Sequence, residues 1–280
     1  MENKFGLKRS IPESVKREVR KKSEFGCVIC GSIPYEYEHV IPEFHEAEKH
    51  DPNCITLLCG NCHGKVTRKI ISKETVIKKM EIPYNLHADK VKGYEIEILP
   101  EIGPFKVKLG NIIGENVKNF LCVDGEPLLS LRKSEGNELC ILNADFKNKQ
   151  GESILKIIDN EWIASKESWD IECIGTKIII REKKGEYNLI LNKKNINFIE
   201  IERINMQHRG VQIFFDGKNG GEFTYNNRKI VLTGMVYKNS DHALRFQNNE
   251  IILQSTGEVY FKELMVCVLQ IDSKINCREN

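Results

Sequence analysis

The sequence is short of net charge, of long apolar runs and of internal repeats. Across 280 residues, 42 Lys+Arg face 40 Asp+Glu, a formal balance of +2. A charge so close to zero gives no whole-molecule attraction to nucleic acid, so any such attraction has to be local. The longest apolar run is Leu264–Leu269, far below the roughly 20 residues that a membrane helix needs. The opening residues Met1–Arg9 contain no apolar stretch of the leader type. Neither a secreted nor a membrane-spanning protein is expected, and the expected location is the cytoplasm. No fixed repeat is visible, although the Asn/Gly-rich part from Gly217 to Asn249 is also compatible with a short solenoid.

What is present is enough to fold. Hydrophobic residues make up 40% and charged residues 29%, which excludes a disordered chain. The length suits two domains. Ten cysteines in a reducing compartment disfavour a disulfide framework. Cys54, Cys122, Cys140, Cys173 and Cys267 read mostly as small core residues, and Cys277 as a thiol in a polar tail.

Charge is unevenly distributed. Residues 1–80 hold 15 Lys+Arg against 11 Asp+Glu, and the remaining 200 residues hold 27 against 29. The excess sits in two clusters. The first is Lys16, Arg17, Arg20, Lys21 and Lys22; the second includes Lys65, Arg68, Lys69, Lys73, Lys78 and Lys79. Ile11, Val15 and Val19 recur every four residues and predict a helix under the first cluster. Ser10-x-x-Glu13 reads as its capping box and Gly26 as its end. A helix is expected over residues 59–71, and another from an N-cap at Ser72 to a stop at Pro83.

Beyond a boundary near residues 82–92 the pattern turns to short alternating runs. They include YEIEIL (94–99), FKVKL (105–109), NELCIL (137–142), TKIIIRE (176–182), YNLILN (187–192) and RKIVLTGMVY (228–237). A hairpin loop is expected over residues 182–186. The expected fold class is α+β: a small finger domain, residues 1–82, then a larger mostly β domain, residues 93–280, built as a sandwich or barrel. Trp162 and Trp169 read as core anchors, His208 and His242 as isolated, and Asp216-Gly217 and Asn219-Gly220 as turns.

The remaining four cysteines carry the chemistry. Cys27-x-x-Cys30 and Cys59-x-x-Cys62 are two knuckles with 28 residues between them. Each offers two thiolates, and four thiolates close a tetrahedron around a structural zinc with no open position. Cys59-x-x-Cys62-His63 also fits haem attachment, a reading excluded here because the partner knuckle claims the thiols.

Around the knuckles stand Glu38-His39-Val40-Ile41-Pro42, Asn53 and Leu57-Leu58-Cys59-x-x-Cys62-His63-x-Lys65. Over about residues 10–80 this combination resembles the HNH (ββα-metal finger) endonucleases of the zinc-bound type. The resemblance implies hydrolysis of phosphodiester bonds in DNA. It makes His39 the general base, and gives Glu38 and His63 a catalytic divalent ion, Mg²⁺ or another. It makes Asn53 the residue that hydrogen-bonds across the finger and holds the His39 loop. Many members of that family have Asp where Glu38 stands. His45 and His50 are candidates as alternative ligands but read first as surface or packing histidines, and Tyr35 and Tyr37 could stack on bases but read first as packing residues. Lys16, Arg17, Arg20, Lys21 and Lys22, with Lys65, Arg68 and Lys69, are expected to meet DNA phosphates. The alternative expectation is a non-catalytic zinc-finger protein that binds nucleic acid or another partner.

Overall fold

The computed structural model describes residues 2–96, 98, 103–133, 140–218, 220–232, 234–248, 250–253, 257–261 and 267–270. The chain is mostly β, with three α-helices among the described residues. It divides into two compact units. The first is Met1–Ile96 with Glu161–Glu186, and the second is Glu97–Asn160 with Tyr187–Asn280. The expected break near residue 82 is therefore not where the first unit ends. That unit reaches Ile96 and also takes in a segment that returns some 65 residues later.

In the first unit, α1 spans Glu13–Lys22. Its N-cap is Pro12, without a side-chain bond, so the Ser10 capping box does not form. The helix also stops before Gly26: Glu24 and Phe25 take positive φ and turn the chain toward Cys27. The apolar stripe of α1 packs as its spacing requires. Val19 is fully buried with Ile55 and Leu57, and Ile11, Val15, Tyr35 and Tyr37 close around them.

β1 (Glu36–His39) pairs antiparallel with β2 (Ile55–Leu58), with Glu38 opposite Thr56 and His39 opposite Ile55. Every residue of β2 is buried, so β2 forms the floor of this unit. α2 (Gly60–Thr67) follows it at once, with Cys59 as N-cap. α3 spans Lys73–Glu81, capped by Ser72 Oγ, which accepts from the Thr75 amide at 3.2 Å. A second core gathers Val28, Val40, Leu58 and Val76 around the cysteine pairs. The returning segment adds Glu161–Ser165, paired antiparallel with Lys90–Glu95, and a hairpin of Asp170–Ile174 with Lys177–Lys183.

The second unit contains two sheets. One runs in the order Glu250–Ile252, His242–Gln247, Asn119–Val123, Glu126–Lys133, Cys140–Lys147, Ser153–Ile158. The other carries Lys106–Leu109 and Ile112–Glu115 beside the long strand Phe198–His208 and the meander from Val211 to Leu232. Burial alternates along Cys140–Lys147 and Val211–Phe215, as period-2 strands with one face inward demand. Three of the pairings are parallel, which a chain of simple hairpins does not predict. The run 228–237 breaks into two strands at Gly234, which has positive φ. Cys122, Cys140 and Cys173 are buried. Part of the 94–99 and 137–142 runs, Asn219, Cys277 and the first half of Leu264–Leu269 lie outside the described residues.

Candidate metal centre and active cleft

The four knuckle cysteines converge. The Sγ atoms of Cys27, Cys30, Cys59 and Cys62 all lie within 4.8 Å of one another, and the group can hold a metal ion. Cys30 Sγ stands 3.6 Å from Cys59 Sγ and 3.7 Å from Cys62 Sγ. A disulfide would need about 2.0 Å. Four thiolates at about 2.3 Å from one tetrahedral ion are about 3.8 Å apart, so the observed spacing fits one shared ion.

Local structure sets this up from both sides. The amide of Val28 donates to Leu57 O at 3.0 Å and ties the first knuckle to β2. Gly31 closes that knuckle, its amide donating to Cys27 O at 2.7 Å. Its φ is +75°, and a Cβ there would run into the Asn85 side-chain oxygen, so only glycine fits. In the second knuckle Cys62 lies in the first turn of α2, and its amide donates to Cys59 Sγ at 3.5 Å. Burial pushes the Cys27 and Cys62 thiols up. Cys30 is also raised by burial, but hydrogen bonding with Ser32 and the neighbouring thiols brings it down to about 7. A bound cation would favour the thiolate at all four positions.

Glu38 and His39 are neighbours at the end of β1, and both border one cavity. Glu38 Oε2 meets His63 Nε2 at 3.1 Å, both side chains partly exposed. Glu36 shares the Glu38 face and brings Oε2 to 3.9 Å from His63 Nδ1. The structure thus joins Glu38 and His63 across 25 residues of sequence, and adds Glu36. Sequence reasoning missed Glu36, although period-2 alternation beside Glu38 already marked its position.

His39 is buried, 8% exposed. Burial first, then His50 and Arg9, holds it down at about 4. It is neutral near pH 7 and able to accept a proton. Its ring contacts Phe44 edge-on and lies beside His50. A cavity of about 640 Å³ is lined by Arg9, Lys16, Glu36, Glu38, His39 and Glu43, among others, so carboxylates, the imidazole and two cations face one space. His45 reaches the same cavity and lies 3.4 Å from Glu43.

Asn53 does not take the place expected of it. It is exposed, its Nδ2 donates to Asp51 Oδ1 at 3.0 Å, and its Oδ1 accepts from Lys22 Nζ at 2.5 Å. The backbone beside it is tied to the His39 strand, Cys54 O accepting from the Val40 amide at 2.9 Å, but the Asn53 side chain itself bonds Asp51 and Lys22. His50, expected to be a packing or surface residue, is the one that contacts His39, with Nδ1 3.1 Å from His39 Nε2.

The first basic cluster also needs correction. Arg20 is 1% exposed. It holds Asp170 with two bonds and reaches Glu172 at 2.9 Å and Tyr37 Oη at 2.7 Å. Arg17 lies over the Trp169 ring at 3.5 Å and donates to its carbonyl. Neither guanidinium is free for a phosphate, because the returning segment supplies their partners. Lys16 pairs with Glu13 and Lys22 with Glu18, while Lys21 is exposed. In the second cluster Lys65 is half-buried, and Arg68 and Lys69 are exposed with no carboxylate partner among the described residues.

Trp162 is fully buried. In the second unit, His208 is not isolated: its Nε2 lies 3.1 Å from Glu126. Family profiles, curated proteins and solved structures were all compared with the chain, and none matches it.

Proposed function

We propose that the first unit is a zinc-stapled HNH-type nuclease module that hydrolyses phosphodiester bonds in DNA with the help of a second divalent ion. The observation that carries this reading is the pair Glu38–His63 at 3.1 Å, set directly beside the four-thiol cluster. The chain order of β1, β2 and α2 supports it. β1 carries Glu38 and His39, and α2 carries Cys62 and His63. The zinc held by Cys27, Cys30, Cys59 and Cys62 fixes α2 against the hairpin.

Glu38 and His63 supply an oxygen and a nitrogen ligand for a hard divalent ion such as Mg²⁺ or Mn²⁺, with Glu36 within reach of the same position. The ion, when bound, stabilises negative charge on the phosphate and the leaving oxygen. His39, neutral at working pH, takes the proton of the attacking water. Arg9 and Lys16 line the same cavity as Glu36, Glu38 and Glu43, so an anionic substrate is favoured there only when a divalent cation offsets the carboxylates. Arg68, Lys69 and Lys21 remain as exposed contacts for backbone phosphates.

A second reading, a non-catalytic zinc-stapled binding module, draws on two observations. The Asn53 side chain bonds Asp51 and Lys22, and a pKa of about 4 makes His39 a weak base. Nicking of supercoiled plasmid separates the two. Purified full-length protein should nick with added Mg²⁺ or Mn²⁺ and not without them, while its zinc content stays constant. No nicking with either ion, by protein that binds DNA, selects the second reading.

A further inference from the structure

His39 and His50 form a directed chain that ends on the backbone. His50 Nε2 lies 2.9 Å from the carbonyl oxygen of Lys8. A carbonyl oxygen only accepts, so this nitrogen carries a hydrogen. Neutral imidazole has one N–H, so His50 Nδ1 is left as an acceptor. His39 Nε2 stands 3.1 Å from that Nδ1 and must donate. Its own Nδ1 then holds the lone pair. Among the described residues no hydrogen bond to Nδ1 is found, and His39 borders the cavity of about 640 Å³.

The Lys8 carbonyl is held in place. Asn3 Nδ2 donates to Phe44 O and Ala47 O, both at 2.6 Å. Asn3 Oδ1 accepts from the amides of Phe5 and Leu7, and Glu2 bridges to Lys8. Phe44 completes the setting, stacked on His50 and edge-on to His39. A single asparagine thus docks residues 2–8 on the 44–47 turn, and that docking delivers the acceptor for His50.

We propose that His50 is the positioning residue of the base: it locks His39 in the Nε2–H tautomer and leaves Nδ1 as the nitrogen that receives the proton of water. This rests on the nuclease reading for its consequence, but the tautomer itself does not. The same logic operates wherever a second group fixes which nitrogen of a catalytic histidine is protonated. A wrong tautomer would put the proton where the lone pair has to be.

The test uses full-length, zinc-loaded protein with ¹⁵N-labelled histidine at about pH 8, above the ordinary histidine range. Two-bond ¹H–¹⁵N spectra read each tautomer directly. We expect His39 protonated on Nε2, with the same tautomer in His50→Asn, whose side-chain oxygen can stand in for Nδ1. In His50→Ala the mixture should relax toward that of a free histidine side chain, which favours Nε2–H only several-fold, so a measurable share of Nδ1–H should appear. In plasmid nicking, His50→Ala should lower kcat by about 10- to 100-fold, part of the 10²- to 10⁴-fold that a positioned base contributes. KM should change little, and His50→Asn should recover most of the loss. His39 protonated on Nδ1 in the wild type overturns the proposal, as does a tautomer unchanged in His50→Ala. A wild type that shows the expected tautomers but never nicks DNA leaves the lock standing and removes the nuclease reading instead.

Discussion

Arg20 and Asp170 lie 150 residues apart in sequence and form a two-point buried ion pair, Nε to Oδ1 at 2.9 Å and Nη2 to Oδ2 at 2.8 Å. Arg181 adds a second cation, at 2.8 Å from Asp170 and 2.7 Å from Glu172. Arg20 also holds the Tyr37 hydroxyl, and Tyr37 lies between Glu36 and Glu38 on β1. α1, β1 and the returning hairpin therefore share one charge network. Two carboxylates and two guanidinium groups balance, which is the condition under which buried charges are tolerated.

Removing one partner breaks that balance. Arg20→Met should leave two carboxylates under-compensated and cost about 3–5 kcal/mol. The measurement is urea unfolding at neutral pH. A loss below about 1 kcal/mol would show that the carboxylates find other partners. A chain cut after Leu86 loses Asp170, Glu172 and Arg181 together, so it should not fold stably even with zinc.

Metal and fold should be inseparable in the finger. We expect one tightly held zinc per chain, and Cys59→Ser should unfold the region around both knuckles, because metal-binding energy there is folding energy. Metal analysis of freshly purified, unchelated protein checks the first point, and circular dichroism of the variant the second. A zinc-free preparation with native structure contradicts both.

DNA contact should follow exposure and not the count of basic residues. Reversing Arg68 and Lys69 to Glu should weaken binding to any duplex. It should also flatten the slope of log affinity against log salt by about 0.9 per lost contact. An unchanged slope would show that this surface does not meet phosphates.

Acid should weaken the fold through His39. Its folded-state value is about 4 against an ordinary 6.5. Between these pH values the unfolded chain binds a proton that the folded chain does not, so stability falls as pH drops from 6.5 toward 4. His39→Gln removes this contribution. Subtracting its stability–pH curve from that of the wild type also cancels losses from acid release of metal. Parallel curves over that window would contradict the buried, neutral state.

Local signals were legible and distant ones were not. The two cysteine knuckles announce themselves by spacing, and Ser72 caps α3 because a serine followed by a helix-forming run needs nothing from elsewhere. Glu38 and His63 were singled out only through a combined motif, and they lie 3.1 Å apart. Arg20 reads as one basic residue among five until Asp170 and Glu172 are seen beside it, and nothing within 100 residues of Arg20 hints at them. Asn53 and His50 exchange expectations for a related reason. The loop between Pro42 and Ile55 has no periodicity, so spacing cannot say which side chain turns back toward His39.

In the nuclease reading His39 serves chemistry and not only structure. Supercoiled plasmid nicking by wild type and His39→Ala, side by side at matched zinc content and matched DNA affinity, tests it most directly. The wild type should nick in an ion-dependent way, and the variant should lose about 10²-fold or more of that rate with binding nearly intact. Nicking by His39→Ala at the wild-type rate would contradict it.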